Sequence, residues 1–283
     1  MPSFPIVDSH VHLYDPGLLN YPWMTGHPVL LRPHLMDDFD QESGPVEVEK
    51  VVFVEVDVDP SLRVREADWV AQLARVEPRI AAVVASAGLE RGAAVRDELD
   101  RLAHSGVLRG IRRLIQSEPD PAFCLRPSFV EGVRLLSEYR LTFDICIRHH
   151  QLASAVELVR RCPDVQFVLD HLGKPAIKDG MLEPWRTQLR ALAEAPNVVC
   201  KISGVVTEAD HVHWTREEIR PYIEHAIDCF GFERVMYGGD WPVVNLAGRY
   251  VDWVAILDWI TEGSSEDEKR ALFRETAIRI YSL

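Results

Sequence analysis

The sequence predicts an α/β protein whose eight strands alternate with helices and close into a single (β/α)8 barrel, with a long loop after strand 1. Three observations predict it. Eight short runs rich in β-branched residues follow one another, each succeeded by helical material. Several runs are apolar almost throughout, as in Val51-Val52-Phe53-Val54, which is how strands buried on both faces of a parallel sheet read. No linker, low-complexity tract or strict repeat interrupts the series, so residues 1–283 read as one domain. An open doubly wound sheet is the alternative arrangement of the same alternation.

The strands are placed at Phe4–His10, Lys50–Asp57, Ile80–Ala85, Val107–Arg112, Leu141–Arg148, Val165–His171, Asn197–Ser203 and Arg234–Asp240. Three of the intervening amphipathic segments open with capping-box spacing: Ser128 with Glu131, Thr215 with Glu218 and Ser265 with Glu268. In that pattern the hydroxyl and the carboxylate satisfy the orphan amides at a helix start reciprocally. The last box opens a helix running to about Tyr281, which closes the barrel. Between His12 and about Glu49 lies a stretch with Tyr14, Tyr21, Trp23, several prolines and no clear periodicity. Long loops in compact domains often act as lids, and this one follows a strand on the catalytic face, so Trp23 is expected to help enclose substrate.

The formal net charge of −13 argues against nucleic acid or an anionic membrane as partner, since both require basic patches. A small molecule is expected instead. The five cysteines (Cys124, Cys146, Cys162, Cys200, Cys229) are odd in number and widely spaced, without a CxxC pair, which fits a reducing cytoplasm. Residues Met1–Pro5 lack the basic and apolar regions of a signal peptide, and no apolar run reaches the roughly 20 residues of a membrane span.

Chemistry in such a barrel gathers at the C-terminal strand ends. Strand one ends Asp8-Ser9-His10-Val11-His12; its histidines share parity and face inward if Val7 and Val11 face the helices. Two imidazoles there can ligate a metal, position a water or donate to a carbonyl oxygen. Strand six ends Asp170-His171-Leu172-Gly173-Lys174-Pro175, a charged pair closing an apolar strand before a Gly/Pro turn. Strand eight ends Gly238-Gly239-Asp240-Trp241-Pro242, which brings out a carboxylate able to take a proton from water. Arg112 and Arg148 end strands four and five, where guanidinium forks suit carboxylates or clustered hydroxyls. Glu55 is assigned inward and needs a histidine, an arginine or a cation as partner. Lys201, in mid-strand, needs a partner inside the barrel or a substrate to grip.

Taken together, DSHVH, DHLGKP, KISG and GGDWP resemble the amidohydrolase superfamily, within it the branch of sugar-lactone hydrolases and 2-pyrone-4,6-dicarboxylate lactonase. The resemblance covers essentially the whole chain and implies a TIM barrel. It further implies Asp240 as general base for water, with His10, His12 and His171 orienting the water and polarising a lactone carbonyl. Arg112 and Arg148 would grip substrate, joined by Glu55, Lys201 and Trp23. One departure stands out. Strand four ends in arginines instead of a metal-bridging lysine, and His149 fills the strand-five metal position only if the register shifts. At most one divalent cation, zinc foremost, is therefore expected on His10, His12 and Asp240, and the branch includes members that work without metal. The expected activity is hydrolysis of an aldonolactone. The rivals are a metal-dependent decarboxylase of the same branch and a non-catalytic sugar-acid binding protein.

Overall fold

Each apolar run folds as a parallel strand: β1 (Ile6–Val11), β2 (Val48–Val54), β3 (Ile80–Ala85), β4 (Leu108–Arg112), β5 (Thr142–Ile145), β6 (Phe167–Leu169), β7 (Val198–Ile202) and β8 (Val235–Tyr237). The computed structural model describes all 283 residues and orders the strands β1 to β8 in one sheet, each hydrogen-bonded to the next. Closure between β8 and β1 is made at their C-terminal ends. Asp240 N donates to His10 O (2.8 Å) and His12 N donates to Trp241 O (2.8 Å), with Val11 and Trp241 forming a parallel bridge. Ser9 Oγ adds a bond to Tyr237 O (2.6 Å).

Around the sheet run α2 (Arg63–Ala74), α3 (Arg96–Ala103), α4 (Pro127–Tyr139), α5 (Leu152–Arg161), α6 (Trp185–Ala193), α7 (Arg216–Phe230) and α8 (Tyr250–Ile260). The strand-one loop contains a helix of its own, α1 (Met36–Ser43), capped where Leu35 N donates to Asp38. The sequence reading missed it because eight residues rich in Asp and Glu leave only Met36 and Phe39 as buried apolar positions. The Thr215 and Ser265 capping boxes both form. Ser128 does not cap: Pro127 starts α4 one residue earlier, since its fixed φ suits the first helical position. The Ser265 helix reaches Tyr281 through α9 (Glu266–Arg270), a π turn over Ala271–Glu275 and α10 (Thr276–Tyr281). No helix is long and apolar enough to cross a membrane.

The barrel interior is a small apolar cluster of its own, in which Val7, Val52, Val54, Ala82, Val84, Val168, Val199 and Met236 meet Ala277 and Tyr281 of α10. Val7 thus faces inward, contrary to expectation, while Val11 joins the outer core with the helices. The histidines still turn into the barrel because β1 carries a bulge. Asp8 pairs with Val51 and Val11 with Phe53, so three steps along β1 oppose two along β2 and the parity inverts between them. Asp8 precedes the bulge and points outward by plain alternation from Val7. Its Oδ1 accepts from Gly239 N (2.8 Å) and His10 N (2.9 Å), and its Oδ2 accepts from Tyr250 Oη (2.9 Å). Strands five, six and eight are shorter than expected because their C-terminal residues leave the ladder.

Gly239 admits this staple only because it lacks a Cβ, which would overlap both the Asp8 carboxylate and the Tyr250 ring. Gly239→Ala should therefore lower the unfolding free energy by about 1–3 kcal/mol in urea titrations. Gly263→Ala, where a Cβ meets nothing within 4 Å, should leave it within about 0.5 kcal/mol.

Candidate active site

Three buried imidazoles converge on one carboxylate oxygen. Asp240 Oδ1 lies 3.5 Å from His12 Nε2, 3.7 Å from His10 Nε2 and 4.0 Å from His171 Nε2. The β8–β1 closure places the first two opposite Asp240, and the turn after β6 brings His171 in from the side. That turn is tight: His171 (φ 54°) and Leu172 (φ 55°) are both left-handed, as is Asp240 itself (φ 54°). Non-glycine residues hold such backbone only where surrounding contacts over-determine it, which is common at functional sites. Gly204, at φ 58°, leaves the space that the His171 ring fills.

The outer nitrogen of each ring is fixed. His12 Nδ1 lies 2.8 Å from Val54 O, a pure acceptor, so Nδ1 carries a proton and Nε2 is the nitrogen turned to Asp240. His171 Nδ1 meets Ser203 Oγ at 2.9 Å. Burial lowers the pKa of His10 and His171 well below the ordinary histidine value, leaving both rings neutral. Burial alone would raise Asp240, but the facing His171 and His12 outweigh it and hold the carboxyl below its usual range. The set is thus three imidazole nitrogens around an anionic oxygen. Separations of 3.5–4.0 Å are long for hydrogen bonds. They suit donors sharing a cation, since bonds of about 2.0–2.2 Å at tetrahedral angles put ligands about 3.4 Å apart. His10, His12 and Asp240 form one such group, which fits one ion; His10, Asp170 and His171 form a second, which His10 meets with Nδ1 turned to Asp170 instead of Nε2 to Asp240. Nitrogen and carboxylate ligands of this kind suit zinc.

A cavity of about 240 Å³ opens over this cluster, lined by His12, His171 and Asp240 together with Trp23, Asp57, Arg112, Gln116, Ser117, Lys174 and Thr207. Trp23 reaches it from the strand-one loop, held by Nε1–H donation to Val56 O (2.7 Å). Arg112 forms part of the floor. Its Nε donates to Glu55 Oε1 (2.6 Å), another donor reaches Glu55 O, and Nη1 lies 3.4 Å from Asp170 Oδ2.

Other expected substrate ligands are placed elsewhere. Glu55 lies just beyond β2, its carboxylate occupied by Arg112 and by the Asp57 amide (2.8 Å). Parity does not aim it inward, because Val52 and Val54 take the interior positions. Lys201 is wholly buried between Asp144 (2.7 Å) and Asp170 (3.1 Å) and does not line the cavity. Arg148 and His149 line a neighbouring basin of about 460 Å³, which touches the cavity at Lys174 and Thr207. β5 ends at Ile145, so the chain has already turned away from the mouth when it reaches them.

Residues 7–283 match the amidohydrolase family model. The chain belongs to the amidohydrolase family. It is 34% identical over 294 residues to L-fucono-1,5-lactonase from Burkholderia multivorans, an alignment covering 98% of this chain and 96% of that one. L-rhamnono-gamma-lactonase from Scheffersomyces stipitis is 23% identical with both chains covered in full. A crystal structure of a Burkholderia multivorans amidohydrolase with bound zinc superposes with a TM-score of 0.89 at 33% identity, over 99% of this chain and 100% of that one.

In this amidohydrolase the sequence reading passed over Asp57, Gln116, Ser117 and Thr207, all cavity-lining. Asp57 had a usable signal, as the second acid of Glu55-Val56-Asp57 just past an apolar strand, and it too is left-handed (φ 50°). Gln116 and Ser117 sit on an irregular loop and Thr207 in a single 3-10 turn (Val206–Glu208), with no periodicity to mark them. Because Arg112 holds two buried carboxylates, Arg112→Met should cost about 3–5 kcal/mol in urea unfolding. Arg112→Lys, which keeps the charge but loses the fork, should cost less.

Proposed function

We propose that this protein is a lactonase that opens a sugar-acid lactone, with Asp240 as general base. The observation that carries this reading is the convergence of His10, His12 and His171 on Asp240 Oδ1 beneath a small polar cavity. End-to-end similarity to sugar-lactone hydrolases supports the substrate class. A cavity of this size suits one small ring rather than a polymer. Its polar lining of Asp57, Arg112, Gln116, Ser117, Lys174 and Thr207 offers both donors and acceptors to ring hydroxyls.

His10, His12 and Asp240 would hold a single divalent cation, zinc by donor type, which when bound supplies Lewis acidity toward the carbonyl oxygen and the attacking water. The side chains do the rest. Asp240, ionised at neutral pH, accepts a proton as a water oxygen bonds to the lactone carbonyl carbon. His171, anchored through Ser203, orients the water, and Arg112 at the cavity floor offers positive charge to the oxygen that becomes anionic. Collapse breaks the ring C–O bond, and the proton held by Asp240 passes to the departing ring oxygen. The product is the open hydroxy acid. Trp23 covers the ring and limits water to the reacting position.

The test is a panel of aldonolactones in a pH-indicator assay. At least one should turn over, and Asp240→Asn should lower kcat/KM by about 10²–10⁴-fold. Chelation should abolish turnover and added zinc should restore it. Undiminished turnover in Asp240→Asn would remove the base assignment, and carbon dioxide release from an unsaturated acid with no lactone opened would replace hydrolysis by decarboxylation. Trp23→Ala should raise KM more than it lowers kcat in the same assay.

A further inference from the structure

Beneath the site runs a chain of buried charges that the reaction above does not use. Lys201 Nζ lies 2.7 Å from Asp144 Oδ2, 3.1 Å from Asp170 Oδ1 and 3.4 Å from His10 Nδ1, with the ammonium, Asp144 and Asp170 fully buried. Tyr281, from the helix that plugs the barrel interior, donates its hydroxyl to the same Asp144 Oδ2 (2.6 Å). Its ring faces the Lys201 ammonium at 5.3 Å. Asp144 Oδ1 is served separately by Thr142 Oγ1 (2.8 Å). Asp170 Oδ1 has no well-aligned hydrogen bond, although it stands 3.1 Å from Lys201 Nζ and 3.4 Å from His10 Nδ1.

Stability does not account for these charges, since well-packed apolar residues commonly serve a barrel interior as well or better. Their position behind His10 does. His10 Nδ1 has two neighbours that compete to set its tautomer. If Lys201 donates to Nδ1, the ring proton moves to Nε2 and blocks the face turned to Asp240. If Lys201 is held by Asp144 and Asp170, then Nδ1 keeps its proton, directs it at Asp170 Oδ1, and leaves Nε2, which Arg112 Nη1 faces at 3.4 Å, with its lone pair for a cation. The Tyr281 hydroxyl donates to the same Asp144 Oδ2 and so holds that carboxylate where it anchors the ammonium and keeps it from donating to His10 Nδ1.

We propose that Lys201 and Tyr281 are positioning residues which, through Asp144 and Asp170, fix the tautomer of His10 that can ligate the cation. The C-terminal helix thereby becomes part of the metal site, although Tyr281 touches neither metal nor substrate. The inference rests on the reading of His10 as a ligand.

It is tested by two measurements on the full chain. One is the zinc dissociation constant by competition with a chromophoric chelator; the other is the His10 tautomer of the metal-free protein by nitrogen-15 NMR. Asp170→Asn and Lys201→Met should each weaken zinc about 10–100-fold. Tyr281→Phe, which keeps the ring and removes one hydrogen bond, should weaken it about two- to tenfold and raise the Nε2-protonated population, with an unchanged circular dichroism spectrum. Wild-type affinity and an unchanged tautomer in folded Lys201→Met and Tyr281→Phe would overturn the proposal; if Lys201→Met does not fold, Tyr281→Phe decides alone. Failure of the wild-type protein to bind zinc would instead remove the metal reading. The tautomer measurement would still support the proposal if Tyr281→Phe shifts it, and overturn it if not.

Discussion

The backbone pairing that closes β8 on β1 is the interaction on which the rest of the structure depends. A barrel has no edge only if its last strand meets its first, and here that meeting is made by Asp240 and Trp241 with His10 and His12. The same two hydrogen bonds set the distance between a carboxylate and two imidazoles. Fold closure and site assembly are therefore one event. The local devices around the seam serve it. The β1 bulge turns the histidines in, Asp8 ties the seam to Tyr250 through Gly239, and Glu42 of α1 accepts from Trp241 Nε1 (2.8 Å) and Asn245 Nδ2 (2.5 Å) on the loop after β8.

Charge is distributed against the overall balance. The chain is strongly acidic, yet beneath the cavity it buries Arg112 and Lys201 with Glu55, Asp144 and Asp170. Burial penalises each charged form, and Asp170 stays ionised because Lys201 and His10 outweigh that penalty and hold it well below the ordinary carboxylate range. Removing any one member strands the others in a low-dielectric interior. The site above thus rests on a floor that orients its rings, while the cavity side stays open to a hydroxyl-rich ligand.

Much of this was legible in the sequence because the signals are local. Doubly buried strands read as apolar runs, and polar residues at their C-terminal ends marked His10, His12, His171 and Asp240, which the structure brings together. What was not legible depends on register and on distance along the chain. A bulge inside Asp8–Val11 cannot be seen from alternation, so the inward turn of the histidines was reached by way of a Val7 orientation that the structure reverses. Lys201 and Glu55 looked able to reach substrate because a sequence does not show which buried partners occupy them, Asp144 and Asp170 for the lysine and Arg112 for the glutamate. Arg148 looked like a pocket residue because nothing in Ile145-Cys146-Ile147 announces that the strand has already ended.

The central claim is that strand closure builds one cation site from His10, His12 and Asp240. It is tested most directly by anomalous diffraction from crystals of the zinc-loaded protein. The account predicts a single zinc peak about 2.0–2.2 Å from His10 Nε2, His12 Nε2 and an Asp240 carboxylate oxygen. A peak confined to other donors, or none at that position in fully loaded crystals, would contradict it.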